Sequence, residues 1–179
     1  MEVCHLKHEE QINELFKASQ NGDIVKIKTL LTSLPDLANT ENSDGLTPLG
    51  YAAHYGQAEA VGILLAQGAG VNAISHSKIS FIPSNTALHA ALAGERSVEV
   101  VRLLLEHGAS TNILDSDGQN ALHTAAFHTD QAKLIQLLLQ HGADPSALSN
   151  SGQTALDIAL ERENHLAAQC LRDALEAKS

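Results

Sequence analysis

One phrase recurs four times along this chain. Asp44-Gly45-Leu46-Thr47-Pro48-Leu49 leads into Ala52-Ala53, and Thr86-Ala87-Leu88-His89 leads into Ala90-Ala91. Asp117-Gly118-Gln119-Asn120-Ala121-Leu122-His123 leads into Ala125-Ala126, and Ser151-Gly152-Gln153-Thr154-Ala155-Leu156 leads into Ala159. The anchoring leucines Leu49, Leu88, Leu122 and Leu156 are separated by 39, 34 and 34 residues. A fixed period in this range is the signature of stacked supersecondary units, none of which can bury its own apolar faces alone. The period also constrains function, because such a stack presents a long concave surface in place of a closed pocket.

Within each period the residues read as helix, turn, helix, loop. Thr47 is placed to cap a first helix with its hydroxyl, and Pro48 suits the first helical position, where the N–H it lacks has no partner anyway. Thr86, Asn120 and Thr154 stand at the equivalent cap position. The alanine pairs keep the first helix thin enough for close packing. Apolar residues at i, i+3 and i+4 mark the buried stripe of a second helix: Ile27-Leu30-Leu31, Val61-Leu64-Leu65, Val101-Leu104-Leu105 and Ile135-Leu138-Leu139. Gly68, Gly108 and Gly142 then end it, since glycine takes the left-handed conformation at a helix terminus without steric cost.

These residues resemble the ankyrin repeat, whose wording is T-P-L-H-x-A-A followed by a leucine pair and G-A-D-x-N. The endings Leu64-Leu65-Ala66-Gln67-Gly68-Ala69, Leu104-Leu105-Glu106-His107-Gly108-Ala109 and Leu138-Leu139-Gln140-His141-Gly142-Ala143 carry the second half of the pattern, and Val71-Asn72-Ala73 matches the approach to the loop. The resemblance covers roughly residues 9 to 177. It reaches a disguised first repeat, where Leu15, Ala18 and Gly22 have the spacing of Leu49, Ala52 and Gly56, and a degenerate last one, where Asp157 replaces the histidine. The resemblance implies an all-α ankyrin-repeat solenoid of about five helix-turn-helix repeats with short β-hairpin loops. All of it forms one domain, 1–179, with repeats at about 9–42, 43–75, 85–115, 116–149 and 150–179 and a loop insertion at about 76–84. Leu88 to Gly108 and Leu122 to Gly142 each span one residue more than Leu49 to Gly68. The extra residue is expected in the turns Gly94-Glu95-Arg96-Ser97 and His128-Thr129-Asp130-Gln131. At about 8–10 Å per helix step, the stack makes a rod about 35–40 Å long.

The formal net charge is −10 with histidine neutral. With no basic stripe, binding to a nucleic-acid backbone is not expected. No stretch is apolar enough to span a membrane, and the residues after Met1 do not read as a signal peptide. Cys4 and Cys170 lie at opposite ends of the expected rod, too far apart for a disulfide, so both are expected as free thiols in a reducing compartment, with the cytoplasm as the default. The chain is expected to be a monomer without cofactor or metal.

Ten histidines raise the question of a metal. His89 and His123 fall at the T-P-L-H position, where the resemblance implies a bridge between neighbouring loops. His107 and His141 sit at helix exits, where a hydrogen-bonding side chain is favourable. No Cys-x-x-Cys pair, His-Glu-x-x-His string, Gly-x-Ser-x-Gly or phosphate loop is present. An enzyme is therefore not expected. The alternative is a small-molecule or metal-linked enzyme subunit, with His54, His89, His123 and His128 converging on one point. A further alternative is self-association through the helix from Leu166 to Leu175.

The expected function is non-catalytic binding of a protein partner, as adaptor or inhibitor. By analogy with the family, the partner surface is the row of loop tips and first-helix ends. It comprises Asp44, Leu46, His54 and Tyr55 in the second repeat, Asp117, Gln119, Phe127 and His128 in the fourth, and Gln153 and Arg162 in the last. Tyr55 and Phe127 are the natural anchors, because aromatic side chains dominate interface energetics. The insertion, His76 to Ser84, carries Ile79, Phe81 and Ile82. Either it is a recognition finger with Phe81 in the partner surface, or its apolar trio folds back over the loop edge.

Overall fold

The structure, a computed structural model, describes residues 2–94, 97–128 and 132–177, with side chains from Lys7 onward. Glu95, Arg96 and Thr129 to Gln131, where an added residue is expected, lie outside the described residues, as does the side chain of Cys4. The described chain runs through α1 (Glu2–Asn21), α2 (Ile24–Ser33), a 3-10 turn (Pro35–Asn39), α3 (Pro48–His54), α4 (Ala58–Ala66), α5 (Ala87–Ala93), α6 (Val98–Glu106), α7 (Ala121–His128), α8 (Ala132–Gln140), α9 (Ala155–Glu161) and α10 (His165–Glu176). The odd-numbered helices stack in one row and the even-numbered helices in a second row behind it. Between the rows runs one continuous core, built from the predicted stripe leucines and the alanines of the repeated phrase. Leu88, Leu104, Leu122 and Leu138 are completely buried. α1 starts at Glu2, well ahead of residue 9. Among the described residues no helix is long and apolar enough to cross a membrane.

The caps follow the sequence at three of four positions. Thr47 Oγ1 accepts the Gly50 N–H at 3.1 Å. Asn120 Oδ1 accepts the Leu122 and His123 N–H groups at 3.0 and 3.2 Å. Thr154 and Asp157 cap each other reciprocally, and the threonine hydroxyl and N–H together hold the Asp157 carboxyl below its ordinary pKa. Thr86 differs: its side chain caps no backbone N–H and instead lies 2.8 Å from His89 Nδ1.

The loops point away from the helices as fingers, and all close the same way at the base. Asn42, Ser75, Asp115 and Ser149 each donate their N–H to a carbonyl further along, that of Leu46, Asn85, Gln119 and Gln153 respectively, at 2.9–3.1 Å. Each also accepts the returning N–H of that same residue on its side-chain oxygen. Two hydrogen bonds therefore fix each base, which is why a short Asn, Ser or Asp stands there. The expected β-hairpins are closed turns, with no strand among the described residues, because each finger is too short for a ladder.

Three of the turns between paired helices, α1–α2, α3–α4 and α9–α10, use a left-handed residue. Gly22 and Gly56 supply it at φ 67° and 69°, but the last repeat has Glu163 at φ 58°. A side chain there is disfavoured by the clash of Cβ with its own backbone. Glu163→Gly should therefore stabilise the protein by about 0.5–1 kcal/mol, read as a raised urea midpoint at unchanged slope. An unchanged or lowered midpoint would contradict this account.

Candidate functional site

Two kinds of residue build the concave face: first-helix ends and fingers. Where α3 ends, Tyr51, His54 and Tyr55 project as one cluster. The ring centroids of Tyr51 and Tyr55 are 5.2 Å apart, and those of His54 and Tyr55 are 5.1 Å apart. Phe16 of α1 meets Tyr51 edge-on at 5.2 Å, so the cluster is backed by the preceding repeat. Burial is the main cause of a raised Tyr51 pKa, with the Tyr55 and Asp44 side chains adding to it. At the end of α7, Phe127 stacks edge-on with His128 at 5.2 Å. Phe127 is 38% exposed, and its ring carries the Arg162 guanidinium from the next repeat at 3.6 Å. It is both an exposed aromatic and a packing surface.

The fingers are linked by imidazoles. His89 Nε2 donates to the Gln119 carbonyl and His123 Nε2 to the Gln153 carbonyl, both at 3.1 Å. Both rings are buried. Burial pushes both pKa values below the ordinary histidine value, and it outweighs the accepting carbonyls, which favour the charged form. The bridge implied by the family wording is therefore made at these two seams.

The insertion sits on its neighbours. The His76 and Lys78 N–H groups donate to the Gly45 and Asp44 carbonyls, both at 2.9 Å. His76 Nδ1 lies 2.8 Å from Glu41 Oε1, and Lys78 Nζ donates to the Ser43 carbonyl. On the other side Ser116 donates its N–H to the Ser84 carbonyl at 2.9 Å. The apolar trio divides: Ile79 and Ile82 are half-buried, whereas Phe81 is 83% exposed.

Together these parts enclose a concave cavity of about 520 Å³. Nine of the residues expected from sequence line it: Asp44, Leu46, His54, Tyr55, Phe81, Asp117, Gln119, Phe127 and His128. Gln153 and Arg162 do not. Gln153 Nε2 donates to Glu161 Oε1 at 2.7 Å, and Arg162 reaches the cavity only through its stacking on Phe127. Ile79, Ile82 and Pro83 of the insertion line it too, and sequence reasoning missed Gly50, Tyr51, Ala90 and Ala93, which also do so. Gly50 carried a signal, since it stands where the repeated phrase has His89 and His123.

Of the four histidines of the metal alternative, His54, His89 and His128 line the cavity and His123 does not. His89 and His123 have both ring nitrogens occupied by neighbouring groups, and among the described residues no three of His, Cys, Asp and Glu form a metal-holding group. Cys170 is a free thiol. In the last helix, α10, Ala167, Ala168 and Leu171 are buried while Leu166 is exposed.

A family model described as ankyrin repeats (3 copies) matches residues 3–75, 74–149 and 111–177. The chain is also 40% identical over 75 residues to an ankyrin repeat protein of fowlpox virus (strain NVSL). That alignment takes in 42% of the chain and 20% of the viral protein, so the chain spans only a small part of that relative's length.

Proposed function

From the chain's membership of the ankyrin repeat family, whose repeats are generally protein–protein interaction modules, we propose that it is a non-catalytic binding module that holds a protein partner on its concave face, as an adaptor or an inhibitor. The observation that supports this most is the gathering of nine of the expected surface residues around one cavity, with two aromatic groups from different repeats, Tyr55 and Phe127, on its wall. Two fingers are held by imidazoles, at the Gln119 and Gln153 carbonyls, and the insertion is held by backbone hydrogen bonds to its neighbours. The surface is therefore preformed, and little conformational entropy is lost when a partner docks. A reducing compartment, with the cytoplasm as the default, accords with the free Cys170 thiol.

The test is affinity capture from native lysate, followed by calorimetry with the recovered partner. Tyr55→Ala and Phe127→Ala should each weaken binding by more than about 1 kcal/mol without loss of helicity. Glu106→Gln, at the exposed end of α6, should change it by less than about 0.5 kcal/mol. Wild-type binding by both aromatic variants would sink the assignment of this face.

A further inference from the structure

The imidazole strut is missing at the seam between the second repeat and the insertion. Thr47 and Gly50 repeat the relation of Thr86 to His89, three residues apart, but glycine offers no ring to the next finger. The carbonyl that such a ring would meet is that of Asn85, which accepts the Ser75 N–H at 2.9 Å just as the Gln119 and Gln153 carbonyls accept the N–H at their own finger bases. The insertion holds this seam in place of a histidine, and the space above Gly50 stays open. A Cβ placed on Gly50 would lie 2.9 Å from Thr47 Oγ1, the cap of its own helix, which must shift to admit it, and 3.9 Å from the Ala90 Cβ across the floor. Three small residues, Gly50, Ala90 and Ala93, thus form the bottom of the cavity.

Carbon dominates the walls, from Tyr51 and Tyr55 on one side to Ile82 and Pro83 on the other. Exposed carboxylates of Asp44 and Asp117 stand at the fingertips on its rim, and among the described residues no lysine or arginine lines it. Lys78 Nζ is turned onto the Ser43 carbonyl, and Arg162 lies on the Phe127 ring. A volume of about 520 Å³ is within the range of small-ligand pockets and accepts a large side chain with part of its backbone. Resting on the concave-face reading above, we propose that the cavity is a side-chain socket. It takes one aromatic or long aliphatic anchor from a partner segment whose adjoining residue is arginine or lysine, paired with Asp44 or Asp117. The carbon walls select the anchor. The rim selects the cation and repels acidic segments.

The experiment pans a phage-displayed library of random dodecapeptides on the full chain. The synthesised consensus peptide is then titrated against wild type, Gly50→His, Ala90→Leu and Asp44→Asn/Asp117→Asn. The enriched sequences should share a large apolar residue within two positions of an arginine or lysine. Gly50→His, which supplies the missing ring, should weaken the peptide at least tenfold. Ala90→Leu fills the same floor from α5 and decides the matter should Gly50→His fail to fold. The paired asparagine variant should weaken binding about fivefold and flatten its salt dependence. Failure to enrich peptides, a consensus without a cation, or wild-type affinity in the floor variants would overturn the socket. Peptides that lose affinity with Tyr55→Ala or Phe127→Ala but ignore the floor variants would overturn the socket alone. Peptides indifferent to all of these would overturn the concave-face reading as well.

Discussion

Gly45→Ala is expected to destabilise the protein by about 3 kcal/mol and to open the insertion to trypsin after Lys78. The backbone at Gly45 has φ +76°, a conformation that costs an L-residue about 1–2 kcal/mol. A Cβ there would also lie 1.9 Å from the His76 carbonyl oxygen, far inside contact distance. That oxygen is backbone and cannot swing aside as a side-chain tip can. The chain can relieve the overlap only by lifting the insertion off the finger, which breaks the bonds from the His76 and Lys78 N–H groups to the Gly45 and Asp44 carbonyls. One wall of the cavity would go with it. Urea midpoints and timed trypsin digestion measure the two effects, and a variant with wild-type midpoint and digestion pattern would refute the docking of the insertion.

The second large effect is on pH. Stability should be greatest well above the ordinary histidine value of about 6.5 and fall as the pH drops through it, at a slope of at most about 2.7 kcal/mol per pH unit with two histidines taking part. The sign follows from burial. His89 and His123 have folded-state pKa values below the ordinary one, so the unfolded chain takes up protons first and is favoured as the pH falls. The loss levels off only below the folded values. Asp115 and the Gln119 carbonyl oppose the shift at His89, as the Gln153 and Ala147 carbonyls do at His123, but desolvation is the largest effect at both. Urea midpoints between pH 8 and pH 5.5 measure the slope, and His89→Gln/His123→Gln should be flatter over that window. A wild-type profile that is flat there would contradict the buried neutral struts.

The stack was legible because its determinants are local. Cap, alanine pair, leucine stripe and exit glycine each act within one turn of helix, and the repeated phrase shows them in phase. Thr86 escaped that logic because its hydroxyl has two possible partners, the backbone of its own helix and the ring of His89, and the ring took it. The cavity was less legible, because it depends on pairs distant in sequence. Phe127 and Arg162 meet across a repeat boundary. The conformation of the insertion is set by Gly45 on one side and Ser116 on the other, so its apolar residues could not be sorted into inward and outward by pattern alone. Ile79 and Ile82 are half-buried while Phe81, which also lines the cavity, is largely exposed, so the trio does not fold back as a whole.

The base of the insertion is closed by the same pair of hydrogen bonds as the short fingers: Ser75 N–H to the Asn85 carbonyl, and Asn85 N–H to Ser75 Oγ. Everything between those two residues is therefore a cartridge held in a standard socket. Its length can change with little penalty, since the entropy of closing a loop grows only with the logarithm of its length. Each of the fingers closed in this way is a port into which a different segment can be spliced while the helices behind it stay in register. A lineage can thereby retarget such a rod by exchanging tips and leaving its spine untouched.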